Sequence, residues 1–312
     1  MLNFKIVNTN GSVKKLEKIL TASLDSETDI PADSLVITCP FDSGISKNAD
    51  RIMAFDEDKL VFKGQIDEII NIKKSGGVIT KLSARSPAAA LLDNEAEPIT
   101  YLSPAPVLIF DRHLKPFGIT QYFADNIPFF GRLKIDKGMS HWQVFKNFCK
   151  NRYGCEPRIS GDGKAYFNGF GRDEIIKFGG ADNIEYYSLK ENRIRCKIIS
   201  QVKLKLTEFG TYSSVINNTN LQSRDINRVR YVNAAADNST VETADKMIEQ
   251  SNLDSYRLTL ECVGCYPNLL GCRAVVDDET FGKADGLRII KTLCKIDGSG
   301  ARTTVVLRKE EF

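Results

Sequence analysis

The chain has 312 residues, enough for two or three domains, and its hydrophobic fraction of 42% is enough to build packed cores. Its formal net charge is +3, with 27% charged residues of both signs, so the composition does not require nucleic acid or a membrane as a partner. The N-terminus lacks the pattern of a signal peptide, and no stretch approaches the roughly 18 apolar residues of a membrane helix. We therefore expect synthesis and folding in the cytoplasm.

The first hundred residues predict strands joined by turns. The apolar run Leu35–Cys39 predicts a short strand that ends at Pro40. Alternation of Phe62, Gly64 and Ile66 with polar residues predicts a half-buried strand, and Gly76-Gly77 predicts a tight hairpin turn after it.

A short helix is predicted directly after this hairpin. Ser86 has the chemistry of an N-cap, and Pro87 suits the first helical position of a helix that runs to Leu92. Glu97-Pro98 then ends the segment.

The middle of the chain predicts an aromatic-rich connection, then one helix and one hairpin. Prolines break up the connection at Pro104, Pro106, Pro116 and Pro128. Its aromatic residues are Tyr101, Phe110, Phe117, Tyr122, Phe123, Phe129 and Phe130.

Ser140 and Gln143 match a capping box, and Gly154 supplies a stop, so a helix is predicted between them. Its apolar face comprises Val144, Phe145, Phe148 and Cys149. The turn Gly161–Lys164 predicts a hairpin over 156–169.

The last third again predicts strands around one helix. Alternating apolar residues predict strands at Ile194–Ser200 and Val202–Leu206. Ser239–Glu242 resembles a capping box that opens an amphipathic helix, with Ala244, Met247 and Ile248 on one face. Short strands follow from Tyr256, and the chain closes on a hairpin with the Gly-rich turn Asp297–Gly300.

These elements predict an α+β, β-rich fold in which two β domains flank or interleave with a small central α/β module of helix plus hairpin. The predicted segments are 1–100, 101–190 and 191–312, and strands of 191–235 are expected to interleave with the first.

Eight cysteines occur at irregular spacing, and we expect reduced, mostly buried thiols. Cys262 and Cys265, with Cys272 further on, suggest a zinc site. A structural zinc site needs four ligands, however, and the chain has no second close cysteine pair. Burial in a strand and its turn is favoured, and no metal, cofactor or catalytic residue is assigned.

Other polar residues are weighed in the same way. His113 and His141 are too few for a metal triad and have no nucleophile motif beside them; His141 is expected in the first turn of its helix. Asp162-Gly163 and Asp297-Gly298 lack the further acidic residues of a calcium loop, which favours hairpin turns. Asp173 and Glu174 are interpreted as a solvated pair rather than a catalytic acid and base.

A basic strand allows three interpretations. Lys203 and Lys205, with Arg228 and Arg230, could contact nucleic acid. Acidic residues interleave with them, and no aromatic series accompanies them, which favours a solvated face; these acidic residues are Glu191, Glu208 and Asp225. The third interpretation is the wall of a channel through which DNA slides without sticking, since few uncompensated cations would hold it.

Taken in order, several segments resemble phage baseplate (tail) hub proteins of the kind found in Gram-positive contractile phages and phage-tail-like bacteriocins. The N-terminal hairpin resembles the tube-type domain of that family, and the resemblance continues through the central module to the final strands. The segments are Phe62–Ile69, Lys81–Ser86, Trp142–Tyr153, the hairpin at Asp162-Gly163, Arg195–Ser200, Ile226–Ala234 and Gly300–Leu307.

This resemblance implies a homotrimer in which each subunit carries two β-barrel-like tube-type domains. Three subunits would form a pseudo-sixfold ring between a six-fold tail tube and a three-fold spike. The implied partners are further copies of the chain, the tube protein, the spike protein and other baseplate subunits, with DNA passing through the lumen without specific binding. Assembly would take place in the baseplate of a virion or tail-like particle, and cell-wall cleavage is expected in another subunit because no lysozyme-like or peptidase extension is recognised.

Two other function classes remain open at this stage. One is a tail-associated cell-wall hydrolase, which would need a poised acid and base. The other is a glycan-binding adhesion module that uses the aromatic stretch Tyr101–Phe130, although irregularly spaced aromatics are more typical of packing between domains.

Overall fold

The computed structural model describes residues 2–180, 183–221, 226–233 and 241–310. It shows an α+β, β-rich chain, as the sequence predicts, and two compact units that are each discontinuous in sequence. The first unit comprises Met1–Asp173, Cys262–Cys272 and Ile290–Val305; the second comprises Glu174–Glu261, Arg273–Ile289 and Val306–Phe312. The division into 1–100, 101–190 and 191–312 stays a prediction.

The strands are β1 (Leu2–Asn8), β2 (Val13–Lys15), β3 (Thr21–Glu27), β4 (Ser34–Pro40), β5 (Ala49–Asp56), β6 (Lys59–Lys74), β7 (Gly77–Arg85), β8 (Thr100–Leu102), β9 (Gln121–Phe123), β10 (Arg132–Lys134), β11 (Arg158–Ile159), β12 (Lys164–Tyr166), β13 (Arg172–Phe178), β14 (Tyr186–Arg193), β15 (Gln201–Lys205), β16 (Ser214–Asn217), β17 (Val229–Asn233), β18 (Tyr256–Val263), β19 (Cys272–Asp278), β20 (Gly282–Asp297) and β21 (Gly300–Lys309).

The α-helices are α1 (Ser43–Asn48), α2 (Ala88–Asp93), α3 (Pro106–Ile109), α4 (His141–Tyr153) and α5 (Val241–Leu253). A π-helical turn covers Phe110–Leu114, and 3-10 turns cover Lys115–Phe117 and Arg195–Lys197.

The first unit is built on a long antiparallel sheet. Its strands pair in the order β20-β3-β4-β7-β6-β5-β1-β2, with β20 joined to β3 through Lys291–Ile296. Alternate residues of these strands are buried, which is the pattern of a sheet packed on one face. Gly64 is required in β6, because a Cβ at that position would lie 2.4 Å from the carbonyl oxygen of Arg85.

A second core in this unit forms around α4. The predicted capping box is confirmed, because the Ser140 hydroxyl accepts from the Gln143 backbone and the Gln143 side chain accepts from the Ser140 backbone. Gly154 ends the helix in the left-handed conformation, as predicted. The hairpin β11–β12 is also confirmed, and β9 extends it as a parallel strand.

The second unit has two sheets. Strands β14, β18, β21 and β20 pair in that order, and β19 joins β20 to β13. A separate three-stranded sheet has the order β16-β15-β17 and packs one face against Ala244 and Ile248 of α5. Those two residues confirm the predicted apolar face of this helix, whereas the predicted capping box Ser239–Glu242 lies outside the described residues.

Three local predictions are wrong. The Ser86 side chain does not cap α2; its hydroxyl accepts from the Asp33 backbone N–H at 3.0 Å. The predicted strand Ile194–Ser200 contains a 3-10 turn instead, because backbone hydrogen bonds to Ser255 and Arg228 fix the two ends of the segment. Leu206 lies beyond β15 and is 55% exposed, so the alternation stops at Leu204.

Candidate functional site

The two histidines, which are 28 residues apart in sequence, meet in the first unit. The Nδ1 atoms of His113 and His141 lie 3.0 Å apart, and Nε2 of His113 lies 3.1 Å from the Tyr101 hydroxyl. Burial lowers the pKa of His113 to about 4, with smaller contributions from His141 and Arg112. Burial also lowers the pKa of His141.

This arrangement is a series of hydrogen-bonded contacts between neutral rings. A contact between two Nδ1 atoms holds one proton, so protonating both rings would place like charges against each other. These contacts tie the π-helical turn to the first turn of α4, where His141 was expected. The contact between the two rings could not be predicted from the sequence, because the two histidines are far apart in it.

A second buried polar contact joins two distant parts of the first unit. Arg158 and Asp33 form an ion pair in which both side chains are almost fully buried, and Arg158 also donates to the carbonyl oxygens of Ile30 and Pro31. Burial raises the pKa of Asp33, while the neighbouring guanidinium opposes that rise. This contact anchors the segment before β4 to the hairpin β11–β12, and sequence reasoning missed it.

The cysteines are divided between interior and surface. Cys262 and Cys272 are buried, Cys265 is half-buried, and all eight cysteines are free thiols. Within the described ranges, no group of three or more His, Cys, Asp or Glu side chains is placed to hold a metal ion.

The two Asp-Gly sequences lie in hairpin turns. Asp162 accepts from the Ser160 hydroxyl and lies 2.7 Å from Lys164, its neighbour across the turn. Asp297 accepts from Ser299 and Arg302, which hold the pKa of that carboxyl well below its usual range. Each carboxylate is thus satisfied within its own turn.

The remaining acid pair considered from the sequence lies on an exposed strand segment. Asp173 and Glu174 are neighbours on β13, and both are exposed. Adjacent residues of a strand point to opposite faces, so the two carboxylates are not arranged as a facing acid and base.

The outer face of the basic strand β15 has aromatic residues beside its lysines. Its outer face carries Lys203 in register between Val215 of β16 and Tyr231 of β17. Tyr231 is 60% exposed, and its ring lies 5.2 Å from that of Tyr212 in an edge-to-face contact. Aromatic rings therefore accompany the lysines, although no series of aromatics is visible along β15 itself.

The aromatic connection contributes mainly to the core of the first unit. Tyr101, Phe110, Phe117, Tyr122 and Phe129 lie in or against the cluster around α4. Two residues of the same stretch face solvent instead: Phe130 is 82% exposed, and Phe123 is also exposed.

A cleft of about 460 Å³ opens in the second unit and is partly basic. Arg193, Arg195 and Lys309 line it together with Tyr256. Two of these three charges are engaged within the chain, because Arg193 pairs with Glu191 at 3.1 Å and Lys309 lies over the Tyr256 ring.

Open strand edges are the remaining candidates for function. β2 ends the sheet of the first unit, but it has only three residues and carries two lysines, which is a protected kind of edge. β14 has eight residues and, within the described residues, pairs along one edge only. Tyr187 on β14 is 60% exposed. Among the described residues, no helix is both long and apolar enough to span a membrane.

Comparison with known proteins shows a likeness in fold. No protein-family model and no curated protein matches the sequence. Solved structures do match. A tail protein from Neisseria meningitidis has a TM-score of 0.77 and 19% identity, covering 99% of this chain and 96% of that one.

A 43 kDa tail protein of prophage MuSo2 from Shewanella oneidensis has a TM-score of 0.76 and 15% identity, covering 98% of this chain and 97% of that one. The E. coli c3393 protein has a TM-score of 0.55 and 10% identity, covering 94% of this chain and 74% of that one. It is described as a component of the type VI secretion system with structural similarity to the T4 bacteriophage tail proteins gp27 and gp5.

Proposed function

We propose that this chain, which has the fold of phage tail proteins, is the structural hub of a contractile tail or tail-like particle. Three copies form a ring that adapts a six-fold tail tube to a three-fold spike. The partners are further copies of the chain, the tube and spike proteins, and other baseplate subunits. The place of assembly is the baseplate of the virion or particle.

One observation carries the proposal: the likeness to two phage tail proteins runs from end to end of this chain and of theirs. A likeness confined to one domain would leave the rest of the chain available for another function. The likeness to c3393, a secretion-system component compared with two T4 tail proteins, supports a place in a tail or tail-like assembly.

Strand geometry supports assembly into a ring. The backbone groups along the open edge of β14 need hydrogen-bond partners, and a strand of a neighbouring subunit supplies them. Obligate interfaces of this kind bury on the order of 2,000 Å² or more, enough to cover exposed side chains such as Tyr187. In the ring, the near-neutral mixed charge of the chain lets DNA pass through the lumen without tight phosphate binding.

The hub acts without catalysis. The two histidines are held in a buried hydrogen-bonded chain, and the Asp173 and Glu174 carboxylates are exposed on a strand, so neither pair is poised for hydrolysis. A zymogram with bacterial cell walls tests this part, and clearing by the purified chain would overturn it.

Light scattering on the purified protein tests the ring. We expect a particle of three times the 34.8 kDa chain mass, and a ring in negative-stain images. Tyr187→Asp on β14 should shift the protein towards monomer, whereas Val13→Asp on the protected edge should not. A wild-type monomer that also fails to form a ring with the tube or spike protein would reject the proposal.

A further inference from the structure

Two cysteines from separate parts of the sequence meet in the first unit. Cys265 follows β18 and is half-buried, whereas Cys294 lies within β20 and is only 2% exposed. Both pack in the same apolar cluster, and each thiol shifts the pKa of the other. Cys265 therefore pairs with Cys294, although the sequence drew attention to the spacing between Cys262 and Cys265.

A network around Thr303 fixes this juxtaposition independently of the thiols. The Thr303 hydroxyl lies 3.6 Å from Cys294 Sγ, donates to the carbonyl oxygen of Gly264 at 2.8 Å, and accepts from the Tyr266 N–H at 3.0 Å. The residues on both sides of Cys265 are thus bound to the side chain that contacts Cys294. The Gly264 N–H also donates to the carbonyl oxygen of Ala301 at 2.8 Å, which holds the same turn against β21.

The two thiols differ in accessibility and in acidity. The contact with Cys294 and burial together raise the pKa of Cys265. The contacts with Cys265 and Thr303 lower the pKa of Cys294 against the effect of burial. Solvent thus reaches Cys265 first, and Cys294 is the thiol that ionises more readily beside it.

We propose that Cys265 and Cys294 are an oxidative cross-linking site, converted to a disulfide by exchange with a small-molecule disulfide such as oxidised glutathione. Cys294 ionises first and accepts the proton of Cys265, while Cys265, the more exposed thiol, attacks one sulfur of the reagent and the first glutathione thiolate leaves. Cys294 then loses its proton and attacks the Cys265 sulfur, and the second thiolate leaves. The two protons from the protein thiols end on two molecules of reduced glutathione, so atoms and electrons balance.

The product closes the turn after β18 onto β20. A disulfide constrains the unfolded chain and so raises the free energy of unfolding. For a loop of this size in a chain of this length, we expect Tm to rise by about 4–8 °C. This inference does not depend on the proposed function.

Peptide mapping tests the site on the full chain. After incubation with oxidised glutathione, we expect two cysteines to become resistant to alkylation, one cross-linked peptide joining Cys265 to Cys294, and the rise in Tm, all reversed by dithiothreitol. Cys265→Ser, at the more exposed partner, should abolish the cross-link. Cys262→Ser, three residues away, should leave it unchanged.

Three outcomes would overturn the site. One is a stable glutathione adduct on Cys265 without a cross-link. Another is a disulfide that joins Cys265 to Cys262 or Cys272. The third is retention of all free thiols at a glutathione potential that oxidises ordinary vicinal dithiols. The mapping reads the bond directly, so a change in folding of a variant does not obscure the wild-type result.

Discussion

Two small sheets in this molecule share one topology but differ in what covers them. In each, a central strand has one antiparallel and one parallel neighbour: β12 between β11 and β9 in the first unit, and β15 between β16 and β17 in the second. Each sheet packs with a helix of 13 residues, α4 or α5. The order of the strands along the chain differs.

The first sheet belongs to a closed core. Ile159, Ala165 and Phe167 are fully buried, and even the Arg158 side chain is enclosed by its ion pair. The second sheet buries Val202 and Leu204 under α5 and leaves the Lys203 face open. The same arrangement thus contributes stability in one unit and an accessible surface in the other, and substitutions should separate these two roles.

Breaking the buried ion pair should have the largest effect. Arg158→Met leaves Asp33 buried without a counter-charge, so we expect a loss of about 3–5 kcal/mol in the free energy of unfolding. Urea denaturation monitored by the fluorescence of Trp142, the only tryptophan, measures it.

Two further variants sharpen this result. Lys134→Met removes the exposed partner of Asp136 and should cost no more than about 1 kcal/mol. The double variant Arg158→Met with Asp33→Leu should recover part of the loss, because it leaves no isolated charge. Equal losses from Arg158→Met and Lys134→Met would contradict the closed core.

A cavity under α5 should have the next largest effect. Leu204→Ala removes a fully buried side chain, and we expect a loss of about 2–4 kcal/mol. Leu206→Ala, two residues further along the chain and 55% exposed, is the matched control and should change stability by no more than about 0.5 kcal/mol. Denaturation monitored by circular dichroism, with hydrogen exchange of β15, compares them; similar losses would mean that Leu206 is also buried.

Protonation of the histidine chain beside α4 should have an intermediate effect. The folded pKa of His113 is about 4, below its ordinary value near 6.5, so the unfolded state binds more protons between these two pH values. Stability should therefore fall as the pH is lowered from about 6.5 to 4, by about 2 kcal/mol after allowance for solvent screening. Tm measured at half-unit steps of pH tests this.

His113→Gln should flatten that pH profile. The groups facing this ring are Tyr101, His141 and Arg112. Because His141 is among them, the variant also removes the repulsion between the rings of His113 and His141 when they are protonated. The raised pKa of Asp33 acts in the opposite direction, because a carboxyl protonated more readily in the folded state gains stability as the pH falls. The difference between wild type and variant isolates the histidine; parallel profiles would contradict the assignment.

The smallest effect is expected on the open face. Tyr231→Ser on β17 removes an exposed ring and should cost no more than about 0.5–1 kcal/mol. Its matched control is Tyr122→Ser on β9, the parallel strand of the other sheet, whose ring lies 4.6 Å from Phe110 and 5.6 Å from Phe167. The control should lose about 2 kcal/mol or more. A larger loss from Tyr231→Ser would mean that the second sheet is closed as well.

Local signals predicted much of this fold from sequence. The capping box at Ser140, the Gly154 stop and the glycine turns of the hairpins each depend on residues within a few positions, and all are confirmed. The ordered resemblance to baseplate hub proteins is confirmed as a fold, although the sequence matches no family model.

Contacts between distant residues could not be predicted in the same way. Arg158 and Asp33 are 125 residues apart, and neither has a local pattern that marks it as buried. The strand predicted at Ile194–Ser200 failed because hydrogen bonds to remote residues overrode its apolar alternation. The thiol pair could not be predicted because Cys265 and Cys294 are far apart in sequence and are brought together only by the contacts of Thr303.

The pairing of β20 with β3 has a consequence for biosynthesis. Lys291 pairs with Glu27, which precedes it by 264 residues. At roughly 5–20 residues per second, a ribosome needs about 10–50 s to make the intervening chain. Throughout that interval one edge of β3 in the nascent chain is unpaired and can pair with an incorrect strand. We therefore expect the first unit to complete its sheet only after most of the second unit has been synthesised.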